Sequence, residues 1–511
     1  MPGNISDKGQ LDGHDPAAVK RHQALFRAIR RRLHPAVRRS DITVTDERSV
    51  KRAVRAAALG NAMEWYDFGV YAYLAVTIGD VFFSGLGGGA RTLASLGTFA
   101  VTFAVRPFGG MFFGPLGDRI GRKKVLATTM ILMASATFCV GLIPSYATIG
   151  VLSPVLLIFF RLLQGFSTGG EYGGASTFIA EYSPDRKRGF FGSFLELGTL
   201  IGYAGAASIA AALQALLSEG ELVSWGWRIP FLIGGPLGVV GLYLRLKLDE
   251  TPAFQRLARE AGGMTEDDHG LAAQPHLPEH SPKREFATIF KDQWRVLTLC
   301  IALVAAYNVT DYMLLSYMPT YLTDTLDYPA SHGTFILVGT MVLMICVINH
   351  VGRLNDRYGR KPILMTGMLG FVILTVPAFL LLKQGSLIAV SGGMLLLGFS
   401  LVCLLATMSA TLPALFATDV RYGSLAIGYN ISVAIFGGTT PLILDSLVTL
   451  THNDLMPAFY TTLFACVGVV SVTLLKETAR QPLKGSPPSV GTKQEASELV
   501  RQSQRPGRSA F

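Results

Sequence analysis

Charged residues are scarce in this chain of 511 residues. Asp, Glu, Lys and Arg together make up 16% of it, whereas hydrophobic residues make up 50%, and the mean hydropathy is +0.40. Soluble domains carry about 25% charged residues. The composition therefore excludes an ordinary soluble globular protein and predicts an integral membrane protein.

Cysteines and metal-ligand motifs are also few. The five cysteines all lie in apolar runs without paired or metal-ligand spacing: Cys139, Cys300, Cys346, Cys403 and Cys466. This pattern predicts small packing residues rather than a disulfide framework or a metal site. We expect no HExxH, GxSxG or paired metal-ligand motif in the apolar runs, which disfavours a membrane-embedded enzyme. We expect no catalytic residue, no metal and no cofactor.

Twelve apolar runs are long enough to cross a bilayer, which takes about 20 helical residues. They cover residues 54–79, 93–116, 125–143, 149–180, 190–216, 227–247, 293–322, 334–351, 363–382, 386–412, 423–450 and 455–475. The opening stretch MPGNISDKGQLDGHD lacks the basic and apolar regions of a cleavable signal peptide. We therefore expect the first span itself to direct insertion.

The net charge of +10 is concentrated in particular loops. Lysine and arginine cluster in the alternate loops DRIGRKK, SPDRKRG, NDRYGRK and TDVR, whereas the intervening loops are nearly free of them. By the positive-inside rule, this pattern predicts a multi-pass protein of the plasma (inner) membrane with both termini in the cytoplasm. We expect the basic loops to contact anionic lipids and not nucleic acid.

The polar segments divide the chain into five parts. Residues 1–52 are basic and predict a cytoplasmic tail, either disordered or folded as an amphipathic helix on the membrane. A Pro/Gly-rich linker at 248–292 separates a six-helix bundle at 53–247 from a second at 293–476. Residues 477–511 form a C-terminal tail, which we also place in the cytoplasm.

An internal repeat relates the two bundles. GPLGDRIGRKKVL at 114–126 and GRLNDRYGRKPIL at 352–364 match at Gly, Leu, Asp, Arg, Gly, Arg, Lys and Leu, each after the second span of its half. SPDRKRG and ATDVRYG give a weaker match after the fourth spans. The sequence therefore predicts an all-α membrane protein with twelve transmembrane helices in two pseudo-symmetric bundles. This is the architecture of an alternating-access transporter, whose site lies between the halves.

The duplicated loop resembles the signature of the major facilitator superfamily. Further motifs resemble its metabolite:proton symporter branch, and most of all the bacterial proline/glycine-betaine transporters: GNAMEWYDFGVYAYLA, RLLQGFSTGGEYGGASTFIAEYSPDRKRGFFGS, WGWRIPFLI, LRLKLDETPAFQ and YMLLSYMPTYL. The resemblance covers about residues 50 to 485. It implies osmotically stimulated uptake of a zwitterionic osmolyte together with a proton, and it assigns gating to Asp118, Arg119, Gly121, Arg122, Asp356, Arg357, Gly359 and Arg360.

Two features depart from that family pattern. The C-terminal tail has no sustained apolar heptad, which puts tail-mediated dimerisation and osmotic tuning in doubt and leaves the oligomeric state open. Asp311, in NVTDYML, stands where the family pattern has an aromatic residue. It adds an acid to the seventh span.

The first span carries acids on one helical face. Gly60, Glu64, Asp67 and Tyr71 follow the spacing i, i+4, i+7 and i+11. An ionised carboxylate in the bilayer costs several kcal/mol, so such acids face a cavity or a partner. Two interpretations are open: Glu64 and Asp67 exchange protons as the cavity changes sides, or they form fixed ion pairs that orient the span.

The fourth span supplies a cation and a small-residue face. Arg161 precedes Gln164, Thr168 and Glu171, which share a face, and it either binds a substrate carboxylate or pairs with an acid. Gly165, Gly169 and Gly173 predict close helix packing. Arg106 has the same two possible roles, substrate binding or pairing with an acid, and we favour a structural one.

A zwitterion needs a positive anchor and aromatic faces for its cation. The first and seventh spans offer Trp65, Tyr66, Tyr71, Tyr307, Tyr312 and Tyr317. Asn308, Asp311 and Tyr312 share a face and form the best second-half cluster. We therefore predict proton coupling by Glu64, Asp67, Glu171 and Asp311, and substrate binding by Trp65, Tyr71, Arg161, Gln164, Asn308 and Tyr312. We assign structural roles to Glu196, His350, Asn430 and Asp445.

Two other functions stay open. A symporter for an organic acid such as a dicarboxylate, citrate or shikimate would have the same fold but favours more buried Arg or Lys. A membrane osmosensor without transport is the alternative from another class, although it gives the internal repeat no purpose.

Overall fold

The structure is a computed structural model that describes residues 38–120, 122–169, 171–246, 293–418 and 420–504. The predicted linker at 248–292, most of the predicted N-terminal tail and Gly121 lie outside these residues. The side chains of Asp118, Arg119 and Arg122 also lie outside the described part.

Helices dominate the described ranges, in twelve successive rods. We number them α1 (Glu47–Tyr73, continued by Ala75–Phe82), α2 (Gly88–Ala104 and Arg106–Ile120), α3 (Arg122–Leu142), α4 (Leu152–Thr168 and Glu171–Tyr182), α5 (Arg188–Leu216), α6 (Arg228–Leu246), α7 (Trp294–Tyr312, Met313–Tyr317, Met318–Thr320 and Tyr321–Thr325), α8 (Ala330–Tyr358), α9 (Arg360–Leu382), α10 (Leu387–Leu415), α11 (Arg421–Ser432, Val433–Gly437 and Thr440–Thr451) and α12 (Met456–Leu474). We call α1–α6 the first half and α7–α12 the second half.

Nine of these rods are long and apolar enough to cross a membrane, counting only the described residues. They are α2, α4, α5 and α7–α12; for α3 only the shorter apolar stretch Ala127–Leu142 qualifies. The charged and polar side chains of α1 lower its hydropathy, and they include Asn61, Glu64 and Asp67. Of the twelve spans that the sequence predicts, nine therefore meet this criterion in the described residues.

Glycines bring the helices of the first half into backbone contact. A Cβ atom on Gly165 would lie 1.8 Å from the Thr102 carbonyl oxygen, and one on Gly169 would lie 2.0 Å from that of Arg106. Gly198 meets the Ala58 carbonyl of α1 in the same way, at 2.2 Å. The predicted packing of Gly165 and Gly169 is therefore confirmed. Gly173 instead faces Ala426 of the second half.

An arginine motif recurs in the two halves. Arg188 at the start of α5 donates from Nε to the Ala180 carbonyl at 2.9 Å, and Arg421 at the start of α11 donates from Nε to the Pro413 carbonyl at 3.0 Å. Each arginine thus satisfies a carbonyl near the end of the preceding helix. The equivalent contact gives the SPDRKRG and ATDVRYG similarity a structural basis.

The described parts of the two tails meet at the end of the molecule that carries the basic loops, which we call the basic end. Strand β1 (Thr43–Val44) pairs in parallel with β2 (Ser489–Val490), and a final helix, α13 (Lys493–Gln504), packs on Ile42 through Ala496 and Leu499. The C-terminal tail thus folds against the bundle. The sequence shows no heptad in the C-terminal tail. It does not predict the contact between the two tails either, because that contact depends on residues from both ends of the chain.

Candidate functional site

A buried ion pair joins α1 to α2. Arg106 Nη2 lies 2.6 Å from Glu64 Oε1, and both side chains are 1% exposed. The guanidinium carbon also lies 5.5 Å from the ring centroids of Phe68 and Phe103. Arg106 Nε and Nη1 have no hydrogen-bond partner among the described residues. The guanidinium therefore retains donors that suit an anionic group.

A second polar network fills the interior of the first half. Thr137 Oγ1 donates to Asp67 Oδ2 at 2.6 Å and accepts from Gln164 Nε2 at 2.6 Å. Arg161 donates from Nη1 to Gln164 Oε1 at 2.9 Å and lies 3.8 Å from the Tyr71 ring centroid. Four predicted site residues therefore meet here, linked through Thr137.

The helical stripe on α1 points into the first half, and its members find different partners. Glu64 bonds to α2 and Asp67 bonds to α3, while Tyr71 donates from its hydroxyl to the Ser95 carbonyl of α2 at 3.0 Å. The open question about Arg161 is thereby answered in part, because the ion-pair partner of Glu64 is Arg106 and not Arg161.

Trp65 lies off that stripe and contacts the second half. Its ring lies 5.8 Å from Tyr312 of α7 and 5.2 Å from Tyr203 of α5, measured between centroids. Tyr312 also meets Phe103 edge-on at 5.4 Å. Trp65, Tyr203 and Tyr312 therefore form an aromatic group where the halves meet, which we call the aromatic cage.

Glu196 lies at the same interface. Tyr172 donates to its Oε1 at 2.5 Å, and Thr199 and Tyr307 donate to its Oε2 at 3.0 and 3.4 Å. Tyr172 stacks on Tyr429 of α11 with centroids 4.0 Å apart. Glu196, for which we predict a structural role, lies between the halves. Its i, i+7 spacing to Tyr203 was the available signal.

The predicted second-half cluster is buried beside this acid. Asn308, Asp311 and Tyr312 are each at most 1% exposed. Asn308 Nδ2, Asp311 Oδ1 and the Tyr312 hydroxyl have no hydrogen-bond partner among the described residues. Glu171 is also buried and begins the second part of α4.

Contacts between the halves close the basic end. Arg421 Nη1 lies 2.7 Å from Glu181 Oε1, and Asp356 accepts the backbone N–H groups of Gly189 and Phe190 at 2.7 and 2.8 Å. At the opposite end, Thr92 donates to Asp324 at 3.1 Å. The two halves therefore contact each other at both ends of the molecule.

The second copy of the predicted gating loop lies within these contacts. Gly359 ends α8 with φ of 109°, a conformation that favours glycine, and Arg360 begins α9. Burial raises the pKa of Glu477, but the backbone N–H groups of Ala479, Arg360, Lys361 and Thr478 lower it more, so the pKa lies below its ordinary value. Arg357 lies in the last turn of α8.

Asp356 gives a testable prediction about this closure. Asp356→Asn removes the charge that accepts two N–H groups at the start of α5, and hydrogen bonds to charged groups contribute about 1.5–3 kcal/mol. In a cysteine-free background with Ser193→Cys between the halves, we expect thiol labelling to accelerate about tenfold. The control is Asp454→Asn, which removes an exposed pair with Lys383 at the other end. Equal labelling rates for the wild-type protein and Asp356→Asn would contradict a role of Asp356 in closing the basic end.

One motif in α4 imitates a hydrolase signature. GFSTG at 165–169 fits G-x-S-x-G, so the expectation that the spans lack this motif is wrong. That signature works on a strand-to-helix turn with an exposed serine. Here Ser167 is 1% exposed, lies within the helix and donates to the Gln164 carbonyl at 2.7 Å. The spacing reflects helix packing. Among the described residues, moreover, His, Cys, Asp and Glu form no group suited to a metal.

The comparison with known families agrees with this arrangement. The family model described as "Sugar (and other) transporter" matches residues 53–488. The chain belongs to this transporter family. The family consists of carriers, which is a non-enzyme class, and the predicted resemblance to the major facilitator superfamily is confirmed.

Curated relatives within this family cover nearly the whole chain. The proline/betaine transporter of Escherichia coli (strain K12) is 45% identical over 473 residues, which are 92% of each chain. The glycine betaine/proline/ectoine/pipecolic acid transporter OusA of Dickeya dadantii is 45% identical, over 93% of this chain and 92% of its own.

A solved structure shares the fold. The proton:xylose symporter XylE, with 6-bromo-6-deoxy-D-glucose bound, superposes with a TM-score of 0.66 over 86% of this chain and 98% of its own, at 17% identity. The match confirms the major facilitator fold.

Proposed function

We propose that the chain is a secondary active transporter that takes up a zwitterionic osmolyte, such as proline or glycine betaine, together with a proton. The main support is the juxtaposition of an arginine with unused donors and an aromatic cage. Arg106 lies 5.5 Å from Phe103, which in turn lies 5.4 Å from Tyr312 of the cage. Relatives at 45% identity carry the names of proline and betaine transporters.

The two ends of a zwitterion suit the two parts of this site. A substrate carboxylate binds the unused Nε and Nη1 groups of Arg106, because a guanidinium recognises carboxylates with paired hydrogen bonds. The cationic nitrogen lies against Trp65, Tyr203 and Tyr312, whose π faces attract cations. Arg161 is the second candidate anchor for the carboxylate, because its Nε and Nη2 also have no hydrogen-bond partner among the described residues, and it contacts Tyr71 and Gln164.

The contacts between the halves at both ends support alternating access. Opening the basic end requires separation of Arg421 from Glu181 and of Asp356 from the start of α5, whereas opening the other end requires separation of Thr92 from Asp324. Each set joins the first half to the second. Rocking of the halves about the central site breaks one set and keeps the other.

Proton coupling is assigned first to Glu64, with Asp67, Glu171 and Asp311 as further carriers. Protonation of Glu64 would weaken its hold on Arg106 and change the charge that meets the substrate. A proton entering down about 100 mV gains roughly 2.3 kcal/mol. That energy supports about a fifty-fold gradient of a neutral solute. The transporter then needs no cofactor.

Membrane placement completes the proposal. All twelve rods cross the plasma (inner) membrane, and the basic end with both termini faces the cytoplasm, as the loop charges favour. Anionic lipid headgroups contact this end. We include osmotic stimulation in the proposal because the relatives are named as transporters of proline and betaine.

Solute transport by the purified protein tests this function. In proteoliposomes with an imposed pH gradient and membrane potential, we expect concentrative uptake of labelled proline or glycine betaine, and competition by other zwitterions. Competition by dicarboxylates, citrate or shikimate instead would favour the organic-acid symporter. Absence of any uptake would favour an osmosensor. Uptake that ignores both gradients would contradict proton coupling.

A further inference from the structure

Two buried acids, one from each half, belong to the same interface. Glu196 of α5 accepts from Tyr307 of α7 at 3.4 Å, and seven residues later Tyr203 of α5 lies 2.9 Å from Ser316 of α7, between hydroxyl oxygens. Asp311 lies between Tyr307 and Ser316 along α7. Its side chain is buried between these two contact points, and the charge of Glu196 acts on it.

The two acids differ in their hydrogen bonds. Glu196 accepts from three hydroxyl groups, those of Tyr172, Thr199 and Tyr307. Asp311 is 1% exposed, and its Oδ1 has no hydrogen-bond partner among the described residues. A buried carboxylate oxygen without a donor is costly, so this atom suits a donor that arrives with a ligand.

The backbone beside Asp311 also favours a ligand. After Tyr312 the helix widens over Met313–Tyr317 into a turn with wider hydrogen-bond spacing. Such segments are frequent at functional sites. Asp311 interacts electrostatically with Tyr203 and Tyr312 of the aromatic cage, so the acid adjoins the place where the substrate nitrogen is proposed to lie.

We propose that Asp311 selects substrates by their nitrogen, accepting a hydrogen bond from a protonated amine or amidinium, so that the transporter prefers zwitterions with N–H groups to fully methylated ones. This inference rests on the proposed function. An aromatic cage attracts any cation, including a quaternary ammonium. A carboxylate distinguishes the two classes, because only an N–H group can donate a charge-assisted hydrogen bond.

A methylation series isolates this hydrogen bond. Proline, N-methylproline and N,N-dimethylproline share a ring and a carboxylate but carry two, one and no N–H groups on the cationic nitrogen. For the wild-type protein in proteoliposomes, we expect the inhibition constant against labelled proline to rise at least about tenfold from the first to the last. Equal inhibition constants would overturn the inference.

Variants at Asp311 complete the test. Asp311→Asn and Asp311→Leu should weaken proline much more than N,N-dimethylproline, so that the dependence on methylation becomes flat. Asp445→Asn is the matched control, since it removes another buried acid of the second half, bonded to Tyr317 at 3.5 Å. We expect it to keep the wild-type dependence.

The possible outcomes separate this inference from the proposed function. Concentrative proline uptake with the wild-type methylation dependence in Asp311→Leu would overturn the inference and leave the function intact. Failure of the wild-type protein to transport any of the three compounds or glycine betaine would overturn the function itself. If a variant does not fold, as judged by size-exclusion profile, the wild-type series alone decides.

Discussion

Glu64→Gln is expected to abolish proton-driven accumulation of proline or glycine betaine. At about 100 mV the accumulation ratio should fall from as much as fifty-fold to about one, because the amide can neither carry a proton nor balance Arg106. Breaking a buried ion pair by removing one partner also costs about 3–5 kcal/mol. We therefore expect a lower thermal stability of the purified variant.

Two further variants separate coupling from stability. Glu64→Gln combined with Arg106→Gln removes both charges, and we expect it to regain stability without regaining accumulation. Asp80→Asn removes a surface pair with Arg91 at 3.1 Å, whose side chains are 42% and 33% exposed, and we expect almost no effect on either property. Concentrative uptake by Glu64→Gln at the wild-type level would remove Glu64 from the coupling mechanism.

Gly165→Ala is expected to prevent stable folding of the first half. The added methyl group would lie 1.8 Å from the Thr102 carbonyl oxygen and 2.7 Å from its carbonyl carbon. These are backbone atoms of α2, so α4 must move away as a whole. Overpacking typically costs about 1–3 kcal/mol, and an overlap with backbone reaches the upper end or exceeds it.

The matched control is Gly97→Ala on α2, where an added methyl group meets nothing within 4 Å. We expect this variant to keep the wild-type melting temperature and yield, with at most a small gain from lower chain entropy. Gly165→Ala should show a sharply reduced yield of monodisperse protein. Equal melting temperatures for the two variants would contradict the packing of α2 on α4.

Much of the fold was predictable because its signals are local. Apolar runs, alternate basic loops and the duplicated GPLGDRIGRKK pattern each lie within a short stretch of sequence. The glycine spacing at 165 and 169 likewise predicts close packing, because small residues recur on one helical face. Parallel pairing of Thr43–Val44 with Ser489–Val490 was missed, since neither two-residue strand has a signal of its own.

The site was predicted less completely. Helical periodicity grouped Glu64, Asp67 and Tyr71 correctly on one face, but it could not show that Glu64 pairs with Arg106 on another helix. The i, i+7 spacing to Tyr203 gives the face of α5 on which Glu196 lies, but its donors Tyr172 and Tyr307 come from other helices and have no local signal. Periodicity gives the face of a helix, whereas the partner depends on tertiary packing.

Solute-driven proton movement tests the central claim most directly. Proteoliposomes without an imposed gradient, with a pH-sensitive dye outside, receive unlabelled proline or glycine betaine. We predict that the pH of the outer medium rises with the wild-type protein and does not change with Glu64→Gln. If labelled solute enters the same proteoliposomes in a parallel assay and the outer pH does not change, proton-coupled symport is contradicted.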